Sequence, residues 1–403
     1  MINEREVLVV GAGPVGMTAA LALHKQGIKA TIIEAEPEGR ERAGSRAIYI
    51  HGATLKLLEG IYPGLGFTLA DIGIVWPVKK TLYRGDEVYK RVYEPPAVNK
   101  MPAFSSLHQH EIEKALFAAC QEVGIEFIWG EPVTNVVTSN DGATVETENG
   151  TWQAKYVIAS DGARSVVRQS LGIKFEGPRT SDTFIVVDVT EDKENPLPVE
   201  RIFHYLHPDM GGRNVMYVPF AGGWRVDLQL FEDDDREYYG SEEGVREWLP
   251  KVMDAKYADR ITWISSYTFY QVVADTFTDE NRRVILAGEA AHLFAPFGAR
   301  GLNSGVPDAT VAVSGIAKAL QAETIEEAHA AIDAVANERL SAGLYNRECS
   351  NLALEHIQGT NEEIKMKREM SAFLAPHIPA LGKWLDEGPF GPRSGPPALS
   401  TKY

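Results

Sequence analysis

Val7 to Val10 form an uninterrupted apolar run. A run of this kind, rather than an alternating one, fits a strand covered on both faces. Met17, Ala20, Leu21 and Leu23 then recur at helical spacing, and Gly27 ends the pattern. The stretch "KATIIEAE" predicts a second strand. A helix is predicted from near Gly52, and a later one carries Ile112, Leu116 and Ala119 on one face. Tyr156 to Ala159 read as another buried strand, which turns at Asp161 and Gly162 into a short helix. From residue 180 to about 275 the pattern changes to short strands, such as "NVMYVPF" and "WRVDLQLF", separated by turns such as "PDMGG" and "AGG". The apolar strand "RRVILA" follows and leads into "GEAAHLFAPFGARGLNSG". Beyond residue 305 the periodicity is helical, and the tail is rich in proline and glycine.

The first strand–helix–strand unit carries a phosphate-binding pattern. Gly11, Gly13 and Gly16 stand at G-x-G-x-x-G spacing in "GAGPVG", which includes Pro14 and Val15. The first glycine permits the turn, the second lets the backbone approach a pyrophosphate, and the third lets helix and strand pack closely. The helix N-terminus adds unpaired N–H groups and the positive end of its dipole. Glu34, followed by Ala35, ends the second strand and is placed to accept hydrogen bonds from a ribose. An acid there favours an adenosine ribose without a 2′-phosphate. "SDGARSVVR" supplies a second turn, with Arg164 and Arg168 one helical turn apart, and it suggests another phosphate-facing loop.

Composition narrows the partners. The chain of 403 residues is long enough for two or three domains. Its formal net charge of −16 leaves no basic stripe for nucleic acid or an acidic membrane surface. The two cysteines, Cys120 and Cys349, have no metal-like spacing and read as buried thiols. No apolar run approaches the roughly 18–20 residues of a membrane span. The expected location is cytoplasmic, and the expected state is a monomer or homodimer.

Taken in order, "GAGPVG" with Glu34, "SDGARSVVR" and "GEAAHLFAPFGARGLNSG" resemble the single-component FAD-dependent aromatic hydroxylases typified by para-hydroxybenzoate hydroxylase. "GARGLNSG" looks most like the branch containing 3-(3-hydroxyphenyl)propionate hydroxylases. The resemblance implies an α/β fold: a Rossmann-type FAD-binding domain, an inserted, mostly antiparallel substrate sheet, and C-terminal helices. The boundaries expected are 1–178 and 276–330 for the FAD domain, 179–275 for the sheet, and 331–403 for the helices and tail.

It also implies a cofactor, FAD, with NAD(P)H and O₂ as co-substrates and a small aromatic molecule, phenolic or heteroaromatic, as substrate. Hydroxylation would proceed through a flavin C4a-hydroperoxide. By resemblance, Gly11, Gly13, Gly16 and Glu34 hold the ADP half of FAD. Arg46 and Gln109 contact its pyrophosphate and ribityl chain, and Asp161 and Gly162 serve FAD and NAD(P)H. Gly288 and Glu289 reach the ribityl, and Gly301 lets Leu302 and Asn303 touch the flavin ring. Pro296 borders the reaction zone. The family's third motif usually reads Gly-Asp, and Glu289 departs from it by one methylene.

Several residues have two readings. Arg225, Asp227 and Gln229 share one face of a strand, which is either solvated, the preferred reading, or the roof of a ligand cavity with Arg225 on an anion. Tyr205, Tyr217 and Tyr270 are further candidates from the inserted sheet. Arg300 either adds positive charge beside the flavin or anchors its loop. His292 reads as a packing residue rather than a base. The alternatives are a dehydrogenase, reductase or epoxidase on the same fold, and a non-enzymatic binding protein. The halogenase pattern W-x-W-x-I-P is absent, and no second G-x-G-x-x-G unit holds NADPH.

Overall fold

The computed structural model describes residues 2–40, 43–46, 48–95, 97, 99–359 and 361–392, excepting the side chains of residues 2 and 179–182. The end of the predicted tail, from residue 393, lies outside the described residues.

The strand Ile2–Val10 runs parallel to Ala30–Ile33 on one side and Thr151–Ala159 on the other. Glu126–Ile128 and Val284–Leu286 extend this parallel core, and the antiparallel strands Gly142–Thr147 and Val133–Ser139 complete a seven-stranded sheet among the described residues. Val7, Leu8 and Val9 have no exposed surface. Val7 and Val9 face one apolar cluster and Leu8 and Val10 the other, which is why the run does not alternate. The helices Pro14–Lys25 and Gln109–Glu122 cover the first face. The helix Arg300–Gln321 packs beside Pro14–Lys25.

A second seven-stranded sheet has the order Ile261–Tyr270, Arg179–Thr190, Gly223–Gln229, Arg213–Phe220, Glu200–His207, Val78–Tyr83, Asp86–Val92. It is antiparallel except where Glu200–His207 runs parallel to Val78–Tyr83. The last two strands come from within the expected 1–178 segment, so the sheet draws on both sides of that boundary. The cause is edge pairing: Glu200–His207 takes its partner from the earlier hairpin, which covers its backbone groups. One face of this sheet packs on the helix Glu242–Val252 through Val245, Trp248 and Leu249. The other face turns toward the first sheet and the C-terminal helices.

Those helices do not start at residue 331. One helix spans Ile325–Gln358 without a break, capped by Thr324 and ended by left-handed Gly359. Glu362–Leu374 and Pro379–Glu387 follow and lie against the inserted sheet, where Tyr205 donates a hydrogen bond to the Leu385 carbonyl at 2.8 Å.

Candidate functional site

A cavity of about 410 Å³ runs between the two sheets. One end reaches Gly13, Pro14 and Val15 at the start of the first helix. Gly13 caps that helix with no side-chain hydrogen bond, so its first amides face the cavity. The glycines have separate duties. A Cβ on Gly16 would stand 1.9 Å from the Gly11 carbonyl oxygen, and one on Gly11, at φ +100°, would meet Ser160. A Cβ on Gly13 would meet nothing within 4 Å. Gly11 and Gly16 therefore shape the turn, and Gly13 keeps room at its surface.

Glu34 accepts the Ala12 N–H at 2.6 Å and the Glu36 N–H at 3.0 Å, and it pairs with Arg40 at 2.7 Å. Burial works to raise its pKa, but the hydrogen bonds from Glu36, Arg40 and Ala12 outweigh it and hold the carboxyl below its usual range. Oε2 is taken up by Ala12 and Arg40, whereas Oε1 keeps a further lone pair for a ribose hydroxyl. Glu34 braces the cradle as well as standing beside it. Ala35 is exposed.

The loop 43–46 is held from above by the second sheet. Ser45 donates its N–H and hydroxyl to Asp188 at 2.6 and 2.8 Å. Arg225 Nη1 donates to the Arg46 carbonyl at 2.6 Å, and the Trp263 ring lies where a Cβ on Gly44 would be. Arg46, at φ +48°, lines the cavity, as does Gln109. The Asp161–Gly162 turn stands opposite. Ser160 and Gly162 line the cavity, and Asp161 Oδ2 accepts the Val167 N–H at 3.1 Å. Asp161 Oδ1 is buried without a hydrogen-bond partner, and burial raises its pKa. Arg168 is not a phosphate ligand here. It is buried, donates to the carbonyls of Ala290 and Ala163, and so ties this turn to the next.

That next turn is the glycine-rich stretch. Gly288 (φ +61°), Glu289, Pro296, Gly301 and Leu302 all line the cavity. Asn303 does not: it accepts from His51 N–H and the Thr54 hydroxyl and donates to the carbonyls of Tyr49 and Ala299. Its side-chain amide, engaged at both the oxygen and the nitrogen, pins the loop. Arg300 lines the cavity, where its Nε is buried without a hydrogen-bond partner among the described residues, and it also anchors its loop. Its Nη1 donates to Asn346, and its Nη2 to the carbonyls of Phe390 and Pro392.

Behind Gly288 sits a charged cluster that sequence reading missed. Asp308, without exposed surface to speak of, accepts the Gly288 N–H at 3.1 Å, contacts His292 Nε2 at 2.6 Å and pairs with Arg339 at 2.7 Å. His292 thus serves the structure, as its sequence context suggested. The available signal was a lone acid in the apolar helical stretch "GVPDATVAV".

The roof overturns two expectations. The Arg225–Asp227–Gln229 face is buried, not solvated: Arg225 and Asp227 look onto the cavity, where Arg225 holds the loop 43–46, and Gln229 is bonded to Asn214, which also donates to the Ile357 carbonyl of the long C-terminal helix. Arg225 does line the cavity, but its Nε pairs with Asp227 at 2.7 Å. Tyr217 lies on the opposite face, in the core against the helix Glu242–Val252, where burial pushes its hydroxyl pKa well up. Strand alternation gives the cavity Met216 and Val218 instead. Tyr205 is also buried away from it, bonded to His356, and Tyr270 is exposed. Tyr267, two residues before Phe269 on the same strand, is a lining residue that was not anticipated, as are Trp76, Arg201 and Phe390.

Residues 4–342 match the family model described as the FAD binding domain. The chain is 26% identical to a 3-(3-hydroxy-phenyl)propionate/3-hydroxycinnamic acid hydroxylase of Mycolicibacterium smegmatis, over 96% of this chain and 67% of that protein. It is 28% identical to a para-nitrophenol 4-monooxygenase of a Pseudomonas species, over 75% of each. The crystal structure of a p-nitrophenol 4-monooxygenase from Pseudomonas putida superposes with a TM-score of 0.77 at 25% identity, covering 97% of this chain and 100% of that one.

Proposed function

The chain belongs to the FAD-binding-domain family, and from that premise we propose that it is a monooxygenase that holds FAD and uses NAD(P)H and O₂ to hydroxylate a phenolic or heteroaromatic substrate. One aromatic C–H, NAD(P)H, a proton and O₂ are consumed; a hydroxylated ring, NAD(P)⁺ and water are formed. The observation that carries this reading is the continuity of the cavity. It runs from a glycine cradle with open amides to an end walled by aromatic residues of the inserted sheet.

The residues present fit FAD. Gly13 and Val15 offer backbone N–H groups to its pyrophosphate, beside Pro14, which has none to offer, with Arg46 and Gln109 alongside. Asp161 has an unpartnered carboxylate oxygen for a hydroxyl donor. Glu289 keeps the carboxylate of the family motif and is exposed into the cavity, where its charge bears on Tyr267. When bound, the flavin supplies the electron storage and oxygen chemistry that no side chain here provides. The Gly301–Leu302 backbone, which lines the cavity at the start of a helix whose dipole favours negative charge, would hold the ring. Trp263, packed on Gly44 of the loop 43–46, adds an apolar wall to the cavity.

The test is a screen of phenols and hydroxylated N-heterocycles with the purified, FAD-loaded protein. The expected result is substrate-stimulated NAD(P)H oxidation, matched O₂ uptake and a product one oxygen atom heavier. Substrate turnover with no oxygen gained would replace this reading with a dehydrogenase or reductase.

A further inference from the structure

Arg201 sits on the strand Glu200–His207, on the same face as Phe203 and Tyr205, and only 3% of its surface is exposed. It lines the cavity. Its Nη2 meets only the Met216 sulfur, at 3.4 Å, and its Nη1 has no hydrogen-bond partner among the described residues. A buried guanidinium left in this condition is costly unless something answers it.

The nearby carboxylates are engaged elsewhere. Asp386 contacts Lys79 at 2.8 Å and accepts the Thr81 hydroxyl at 2.9 Å. Asp227 pairs with Arg225, whose Nη1 is in turn held by the Arg46 carbonyl. Arg225, the cation singled out from the sequence, is thus committed to holding the loop, whereas Arg201 is not.

A second orphaned donor stands close by. Trp76 is 3% exposed and lines the same cavity, and its Nε1 also has no hydrogen-bond partner. Trp76 leads into the strand whose Lys79 pairs in register with Arg201. Its ring packs on Tyr49, which also lines the cavity. The remaining wall is apolar or aromatic. Met216 lies on the neighbouring strand, and the Phe390 ring lies 5.0 Å from the Arg201 guanidinium. Phe390 comes from the C-terminal turn Gly388–Phe390, beyond the family match at residues 4–342.

Two buried N–H donors without acceptors, in one aromatic slot of a ligand cavity, call for a ligand that brings an oxyanion. We propose that Arg201 and Trp76 form the substrate-anchoring end of the cavity and select aromatic substrates carrying a carboxylate or an equivalent oxyanion. The planar guanidinium takes such a group in a dry site, and Phe390 keeps water from it. This assignment rests on the monooxygenase reading for calling the ligand a substrate, but the binding it describes does not depend on turnover.

The experiment measures equilibrium binding to the FAD-loaded protein without NAD(P)H, by the change in the bound-flavin spectrum and in tryptophan fluorescence. The probes are hydroxybenzoates, hydroxyphenylacetates and hydroxyphenylpropionates, each beside its methyl ester. The wild type is expected to bind at least one acid about tenfold or more tighter than its ester. Arg201→Gln removes that preference by weakening the acid while leaving the ester within about twofold; Arg201→Lys retains part of it; Trp76→Phe lowers acid affinity by a smaller factor. Equal binding of acids and esters by the wild type overturns the proposal, as does binding of neither. So does an Arg201→Gln protein, folded by circular dichroism and FAD content, that weakens both alike. If that variant does not fold, the wild-type comparison and Trp76→Phe still decide. Acid selectivity without oxygen transfer would leave the anchor standing and overturn the monooxygenase reading instead.

Discussion

Asp308 shows how one side chain serves the site from behind it. Its carboxylate holds the Gly288 amide on one side and the His292–Arg339 pair on the other. Burial works to raise its pKa, but Arg339 and His292 overcome this and hold it below the ordinary value. A depressed carboxylate stabilises the fold above its unfolded pKa, and that contribution is lost as pH falls through the folded value. Asp308→Asn is expected to cost about 3–5 kcal/mol in denaturant unfolding, because it leaves Arg339 buried and unpaired. It should also loosen FAD, since Gly288 loses its tether. The cradle glycines give a sharper contrast. Gly13→Ala is expected to leave the melting temperature of the FAD-free protein nearly unchanged while FAD affinity falls tenfold or more. Gly16→Ala should lower both, because its Cβ would overlap the Gly11 carbonyl. Thermal melts with and without FAD measure this.

At the scale of elements, strand alternation decides which side chains can touch a ligand. In Arg213–Phe220, Met216 and Val218 face the cavity while Val215 and Tyr217 face the core. Tyr217→Phe is therefore expected to leave KM and kcat within about twofold, and Met216→Ala to raise KM for the best aromatic substrate. A steady-state comparison of the two variants checks the register. The same parity puts Arg225 and Asp227 over the loop 43–46, with Asp188 beside them on the next strand. A tenfold rise in the FAD dissociation constant is expected for Arg225→Met, because the Arg46 carbonyl loses the guanidinium that donates to it and the loop loses its clamp.

At the scale of the molecule, the C-terminal helices close the structure over the inserted sheet. Lys79 and Asp386, both nearly unexposed, join strand Val78–Tyr83 to helix Pro379–Glu387. Lys79→Met is expected to cost about 3–5 kcal/mol by stranding Asp386, and the double change with Asp386→Leu to recover most of that loss. The same region sets an acid limit. Burial, with His207 beside it, lowers the His204 pKa to about 4; burial, with Arg368 and Lys367 nearby, lowers that of His356 to about 3. Both are neutral in the fold, so stability is fully present above pH 6.5 and falls as pH drops from there toward 4. Unfolding midpoints measured between pH 7.5 and 4.5 should decline steadily, with His204→Gln flattening the slope.

The first cradle was legible in the sequence because its determinants are local. An unbroken apolar run, glycines at fixed spacing and an acid at a strand end all act within about 30 residues of one another. The turn at Gly288 and the helix after it were legible for the same reason. What sequence could not reach depends on contacts between distant segments. The polar face of Gly223–Gln229 looks solvated until the loop 43–46 meets Arg225 from one side and Asn214 ties Gln229 to the helix Ile325–Gln358 on the other. The phase of Arg213–Phe220 does not say which face turns to the cavity, since both faces are apolar. Asp308 stands alone in an apolar stretch and Arg201 follows Glu200 in an ordinary strand, and whether such a polar residue acquires a partner, or lacks one as the Trp76 N–H does, is settled only when tertiary packing removes it from water. Local chemistry thus determined the glycine turns that open on the cavity, and packing alone decided which side chains line it.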